Sequence, residues 1–427
     1  MKRTLLWLLA LILFGACQKF ESVGLKQDDP QPNNEYCVSE EDAVARALTA
    51  IAQVEGETAS RADVTRRLKQ IQRVRGSALT RSAEDIAELF YLVNFADDQG
   101  YALVAADERM TDVYMMSETG NLDLDKVDPQ SGLSYFLERA VTYGHGELKD
   151  SLPTFPGFGN GDEMFDPNDS ISRIIPEEYN GRWYHVYRRY ENAVYEALLP
   201  TKWHQQAPYN NECPYYVNYP IRSLAGCVAI AMGQIMAYHR YPTTANGHTY
   251  NWDAILVSNT VSETDNVAAA SVATLIHDVG LSVNMQYGTN YYSPIKYDFS
   301  GAYSKDVPNG FSQFGYATGS YINYSYNSVY YSIIQNRPVY SKGADAVEGG
   351  HAWVIDGCTH DDLVAYYYSV GDVEFCFKQV EGQRNQYVHC NWGWGTDSQW
   401  ALSGVFNATS NCNFELEPKI IPQIRPN

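Results

Sequence analysis

The sequence predicts an α+β protein in which a small helix-and-hairpin unit precedes a larger unit of two subdomains. Three observations carry that reading. Residues 36–125 open on an amphipathic helical pattern and end on a strand–turn–strand pattern. Residues 151–170 lose all periodicity and fill with Pro, Gly and Asp, as a linker or long surface loop does. From 188 to 427 helical patterns come first, and Tyr-, Val- and Gly-rich strand patterns follow from about 290, the order expected of an α+β fold with segregated layers.

In chain order, Met1-Lys2-Arg3 is a short basic start and Leu5 to Phe14 an apolar run. That run is too short to cross a hydrocarbon layer of about 30 Å, so residues 1–16 read as a signal peptide. Gly15-Ala16 before a cysteine resembles a bacterial lipoprotein leader, which makes Cys17 a candidate lipidation site. Residues 17–35, polar and rich in Pro, Gln, Asp and Asn, suit a tether.

Residues 36–150 form the first folded unit. Ser39 and the acidic residues after it cap a helix over 39–53, with Ala43, Ala47, Leu48 and Ile51 at helical spacing. Phe90 to Arg109 reads as two strands joined by Asp97-Asp98-Gln99-Gly100, and 126–150 is helical again. The hairpin holds no cysteine, histidine or metal-ligand cluster. Residues 151–187 are the linker and activation segment. Beyond it, helices are expected over about 190–199, 227–239 and 267–277.

Composition excludes one class of partner. Lys and Arg number 31 against 51 for Asp and Glu, a formal charge of −20, which repels phosphate backbones; no nucleic-acid partner is expected. Of eight cysteines, six remain after Cys17 and the candidate nucleophile below, and spacing alone leaves disulfides and buried thiols equally open.

The chemistry lies in three segments. Gly226-Cys227 opens the helical run CVAIAMGQIMAYH, so the thiol faces unpaired amides and the positive end of a helix dipole, which favours thiolate. In VEGGHAWVIDGC a glycine pair precedes His351, at the mouth of an apolar strand. In HCNWGWG, Asn391 is placed to orient an imidazole, with Trp392 and Trp394 shielding the bond. His351 follows Cys227 by 124 residues and Asn391 follows His351 by 40. A thiol, a base and an orienting group in that order is the logic of thiol catalysis. An oxyanion donor is also needed, and Gln205 or Gln206 is available upstream.

These segments, with QQAPYN, LIHDVGLSVNMQYG and QNRPVYSKG, make the stretch from about 198 to 420 resemble the streptopain family of bacterial papain-like cysteine peptidases. The resemblance implies a papain-like fold, with a helical subdomain against a β-rich one and the site in the cleft between them. It places the nucleophile on Cys227, the base on His351, the orienting residue on Asn391, the oxyanion donor on Gln205 and the shielding indole on Trp392. Residues 36–120 resemble the family's inhibitory propeptide, and the family's pattern puts the maturation cut at about 180–192, near Arg188-Arg189.

The implied protein is an exported cysteine endopeptidase made as a zymogen. It acts on protein or peptide substrates, with its own propeptide as inhibitor and no cofactor. The precursor is expected at the outer membrane or cell surface through lipid on Cys17, and the mature enzyme is expected to be released. Two rivals use the same residues: a transglutaminase-like acyl transferase, which usually orients histidine with aspartate, and an inactive lipid-anchored binding protein. No metal is expected. Cys358, His360, His389 and Cys390 lack the paired spacing of a zinc site, and residues 166–177 have Ile171 where a calcium loop needs glycine.

Overall fold

The computed structural model describes residues 36–55, 66–75, 88–128, 131–150, 175–216, 220–288, 300–345, 349–370, 374–395, 398–407 and 418–427. Cys17, the leader, the tether and all of 151–174 lie outside them. Helix α1 (Glu40–Glu55) starts where the sequence puts it. Ser39 Oγ accepts from the Asp42 amide at 3.0 Å, and Ala43, Ala47, Ala50, Ile51 and Val54 form its buried stripe. Strands β1 (Leu68–Arg75), β2 (Glu88–Phe95), β3 (Tyr101–Ala105) and β4 (Val113–Ser117) make an antiparallel meander. The β2–β3 turn holds Asp97, Asp98 and Gly100 at positive φ. Helix α2 (Gly132–Asp150) is shorter than the expected 126–150, because Ser131 caps it, its hydroxyl accepting from the Ser134 amide at 3.1 Å.

The stretch 175–199 differs from expectation. Strands β5 (Ile175–Tyr179) and β6 (Arg182–Tyr195) form a hairpin around Asn180-Gly181, both at positive φ, in place of a linker ending at 187 and a helix over 190–199. Aromatic and β-branched residues that alternate along RWYHVYRRYENAVY favour a strand, and a long partner strand completes it. Next come α3 (Cys227–His239), the short pair β7 (Thr244–Ala245) and β8 (His248–Thr249), α4 (Trp252–Ile255) and α5 (Asn266–Ser282). Helices α6 (Val307–Gln313) and α7 (Tyr326–Ile333) interrupt the region read as strands.

The remaining strands are β9 (Tyr316–Ala317), β10 (Ile322–Asn323), β11 (Val339–Asp345), β12 (Gly349–Ser369), β13 (Phe375–Asn391), β14 (Ser398–Leu402), β15 (Lys419–Ile421) and β16 (Arg425–Pro426). One twelve-stranded sheet runs β1-β2-β3-β4-β14-β13-β12-β11-β15-β10, with the β5–β6 hairpin added on the outer half of β12. The meander β1–β4 therefore continues the sheet of the larger unit, through Met116 opposite Trp400 and Met115 opposite Ala401.

Among the described residues two large cores and a small satellite of Val186, Ala365 and Tyr367 result, and β12 divides the two large ones. Trp353 and Ile355 point into the core that includes α1 and α2; Ala352 and Val354 point into the core built around α3 and α5. The period of two along a strand puts His351 on the same side as Trp353.

Candidate active site

Gly226 has φ +90°, and a Cβ there would lie 2.6 Å from the Met285 side chain, so only glycine fits. It turns the chain so that Cys227 is the first residue of α3. The rest of the helix, Val228 to Ala237, is buried on every side and anchors the thiol rigidly. Backbone amides, foremost that of Ala352, favour the thiolate, but burial outweighs them and pushes the half-buried Cys227 thiol above its ordinary value. The helix terminus taken alone predicts the reverse.

His351 opens β12 opposite Gly343 of β11. Its Nε2 lies 2.8 Å from the Trp392 carbonyl oxygen. A carbonyl only accepts, so Nε2 carries the proton and Nδ1 keeps the lone pair that a base needs. The ring lies near-parallel to the Trp353 indole (9°) with centroids 6.4 Å apart, and is 6.2 Å from Trp394. Burial drives its pKa down to about 4. A thiol pushed up and an imidazole pushed down describe a neutral, unreactive pair. Among the described residues no hydrogen bond joins Cys227 to His351.

The cause of that burial is the start of α2. A Cβ on Gly132 would lie 2.8 Å from His351 Cδ2 and 2.2 Å from Trp392 Cε3. One turn on, the Tyr135 ring lies over Gly343, where any Cβ would collide with it. Phe136 packs on Trp392 and Phe406, at 6.5 and 5.6 Å between centroids. Arg139 donates to the carbonyls of Val405 and Asn407, each at 2.9 Å. The first two turns of α2 therefore cover the imidazole side of the site.

Asn391 is buried, but His351 is not its partner. Its Oδ1 accepts from Gln234 Nε2 (3.1 Å) and the Gly393 amide (3.3 Å), and its Nδ2 donates to the Thr201 carbonyl (2.7 Å). Trp392 is fully buried and donates from Nε1 to Gln399. Gln205 is buried and its carbonyl accepts from the Ala225 amide at 2.9 Å, so it runs beside the loop that delivers Cys227; Gln206 is exposed. Asp356, five residues beyond His351 on β12, is engaged elsewhere: it pairs with His389 Nδ1 at 2.7 Å and accepts from the Leu199 amide. Gln234 and Gly132 escaped the sequence reading. The available signal for Gln234 was a lone polar side chain in an otherwise apolar helix.

Cys37, Cys213, Cys358, Cys376 and Cys390 are free thiols, and no disulfide occurs among the described residues. Glu177, at the end of the calcium-like run, pairs with Arg188. No described helix is long and apolar enough to cross a membrane.

Comparison with known proteins agrees with this geometry. Residues 203–400 match the model of the peptidase C10 family, and residues 35–142 match that of the Spi protease inhibitor. The chain is 27% identical over 353 residues to the thiol protease/hemagglutinin PrtT of Porphyromonas gingivalis, covering 74% of this chain but only 34% of that one. The chain thus spans about a third of that relative's length. It is 25% identical over 367 residues to streptopain of Streptococcus pyogenes serotype M1, covering 74% of this chain and 76% of that one. A structure of a fragment of Prevotella intermedia prointerpain A shares the fold, with a TM-score of 0.52 at 21% identity over 82% of this chain and 97% of that one.

Proposed function

We propose, because residues 203–400 match the peptidase C10 family and residues 35–142 match the Spi protease inhibitor, that the chain is the zymogen of a cysteine endopeptidase with Cys227 as nucleophile and His351 as base. The observation that supports the reading is the close approach of α2 at Gly132 to His351 and Trp392, where even a Cβ would collide, as expected of an inhibitor domain lying over the proposed base.

Departure of α2 returns water to the imidazole. His351 Nδ1 then takes the thiol proton, and the Cys227 thiolate attacks the scissile carbonyl. The side-chain amide of Gln205 and the Cys227 amide stabilise the oxyanion. The protonated imidazole gives its proton to the leaving amine, and water, deprotonated by His351, releases the acyl group. Trp392 and Trp394 keep bulk water from the Nε2 side. Neither the acyl-transferase nor the binding-protein rival gains support from a specific observation. Export, and lipid on Cys17, rest on the leader pattern.

The β5–β6 hairpin bears on the boundary between inhibitor and enzyme. Tyr184 to Tyr195 of β6 pair with Ser369 to Cys358 of β12, and Arg188 bridges Glu177 and Glu381. A peptidase needs an extended, unpaired segment in its cleft, which Arg188-Arg189 does not offer. We therefore move the maturation cut to a point before Ile175, leaving β5 and β6 with the enzyme. Sequencing the N-terminus of the stable product of precursor incubation tests this. A start before Ile175 is expected, and a start between Tyr184 and Tyr195 would return the cut to the arginine pair.

A further inference from the structure

Gln234 lies two turns along α3 from Cys227, fully buried and the one polar side chain between Val228 and Ala237. An unpaired amide there would cost a few kcal/mol, yet both of its ends are engaged. Its Oε1 accepts from the Trp203 amide at 3.1 Å, and its Nε2 donates to Asn391 Oδ1 at 3.1 Å. A backbone N–H can only donate, which fixes the orientation of Gln234 and presents the oxygen of Asn391 to it. That oxygen has two acceptor sites, and Gln234 and the Gly393 amide occupy both. None remains for His351, whose partner is the carbonyl of Trp392, the residue held between Asn391 and Gly393.

The other end of Gln234 reaches the oxyanion side. The Trp203 carbonyl accepts from the Gly395 amide at 3.0 Å, the Thr201 carbonyl accepts from Asn391, and Gln205 follows two residues on. One side chain thus joins the helix of the nucleophile, the segment of the oxyanion donor and the turn whose carbonyl meets the base.

On the peptidase reading above, we propose that Gln234 is a positioning residue of the catalytic machinery. Through Asn391 it aims the Trp392 carbonyl at His351, and through Trp203 it sets Gln205 against Cys227. Asn391 is then a positioning residue too, acting on His351 through the neighbouring carbonyl.

The test uses full-length Gln234→Glu and Gln234→Met, both near-isosteric, cut in trans by a trace of wild-type enzyme. Gln234→Glu keeps an acceptor for the Trp203 amide and removes the donor to Asn391. For whichever variant is folded by circular dichroism, kcat should fall about 10- to 100-fold with KM within about twofold, and the limb of the pH profile set by the imidazole should move. Ser332→Ala is the control for stability alone, since Ser332 is equally buried and its hydroxyl donates to the Arg337 carbonyl and accepts from the Gln423 amide, neither a residue of the site; its kcat and pH profile should stay those of wild type. Asn391→Ala should lose about 10- to 1000-fold, and adding it to a Gln234 change should cost no more than the worse single change, because the two act as one unit. Wild-type kcat and pH profile in a folded Gln234 variant, the same loss in Ser332→Ala, or additive losses in the double variant would overturn the proposal. Should both Gln234 variants fail to fold, Asn391→Ala decides alone: an unmoved pH profile overturns it. A wild-type chain that hydrolyses no peptide would instead remove the peptidase reading, and this inference with it.

Discussion

Cys227→Ala is expected to abolish peptide hydrolysis and self-processing while leaving the full-length chain folded. The residue is half-buried at the start of a helix whose other residues fix its position, and alanine is the best helix former, so the substitution should cost no more than about 1 kcal/mol of stability. Catalysis loses its nucleophile, and losses for such groups reach about 10⁴-fold or more. The measurement is the time course of precursor cleavage beside hydrolysis of a peptide substrate. A trace of wild-type enzyme added in trans should still cut the variant, which separates loss of the nucleophile from loss of the cut site. Processing of pure Cys227→Ala at the wild-type rate would take the nucleophile away from this residue.

Gly132→Ala is expected to have the second largest effect, in the opposite direction. The added methyl collides with the Trp392 ring, which is fully buried and has no room to withdraw. Overpacking of this kind costs about 1–3 kcal/mol, drawn from the contact that holds α2 on the site. Self-processing should then accelerate about five- to hundredfold. The intrinsic helix preference of alanine would, if anything, tighten α2, so slower processing would show that propensity and not the His351 contact governs latency.

The same contact gives latency a pH dependence. The buried imidazole has a pKa near 4 against an ordinary 6.5, so the latent state binds fewer protons than the released one. Its stabilisation is complete above pH 6.5 and is lost as pH falls from there towards 4. At pH 5.5 the loss is at most about 1.4 kcal/mol, about tenfold in opening. The groups around the ring are Trp353, Trp392, Trp394 and Gly132, none of them charged. Burial lowers His389, but Asp356 on the neighbouring strand β12 raises it overall and stays beside it when α2 leaves. Only the lesser share from Glu118 therefore acts with the other sign, present below 6.5. Acid should therefore hasten opening of the wild-type precursor, and Gly132→Ala should weaken that acid dependence.

Where the sequence was legible, one local rule decided the outcome. Helix α3 spans the expected 227–239 because a glycine at positive φ precedes a run of strong helix formers that is apolar except for Gln234. The hairpin around Asp97 to Gly100 follows from residues that tolerate positive φ. Where it was not, the deciding partner lies far away in the chain. Strand β6 owes its form to β12, about 170 residues on, and α6 and α7 are short helices set into Tyr-rich sequence that favours strands. The site shows the same division. Residue types at 227, 351 and 391 announced a thiol, a base and an amide. Which atom the amide faces depends on Gln234 and Thr201, and the thiol's protonation depends on burial in a tertiary setting.

The central claim is that Cys227 is the reactive thiol and that the inhibitor domain silences it. The most direct measurement is the alkylation rate of each cysteine by a thiol reagent, read by peptide mass spectrometry, in the precursor and in the processed enzyme. Cys376 is exposed and serves as the internal standard. The account predicts that Cys227 reacts more slowly than Cys376 in the precursor and far faster than it after processing. A Cys227 that outpaces Cys376 while α2 is still in place, or one that gains no reactivity when the inhibitor domain is gone, would contradict it.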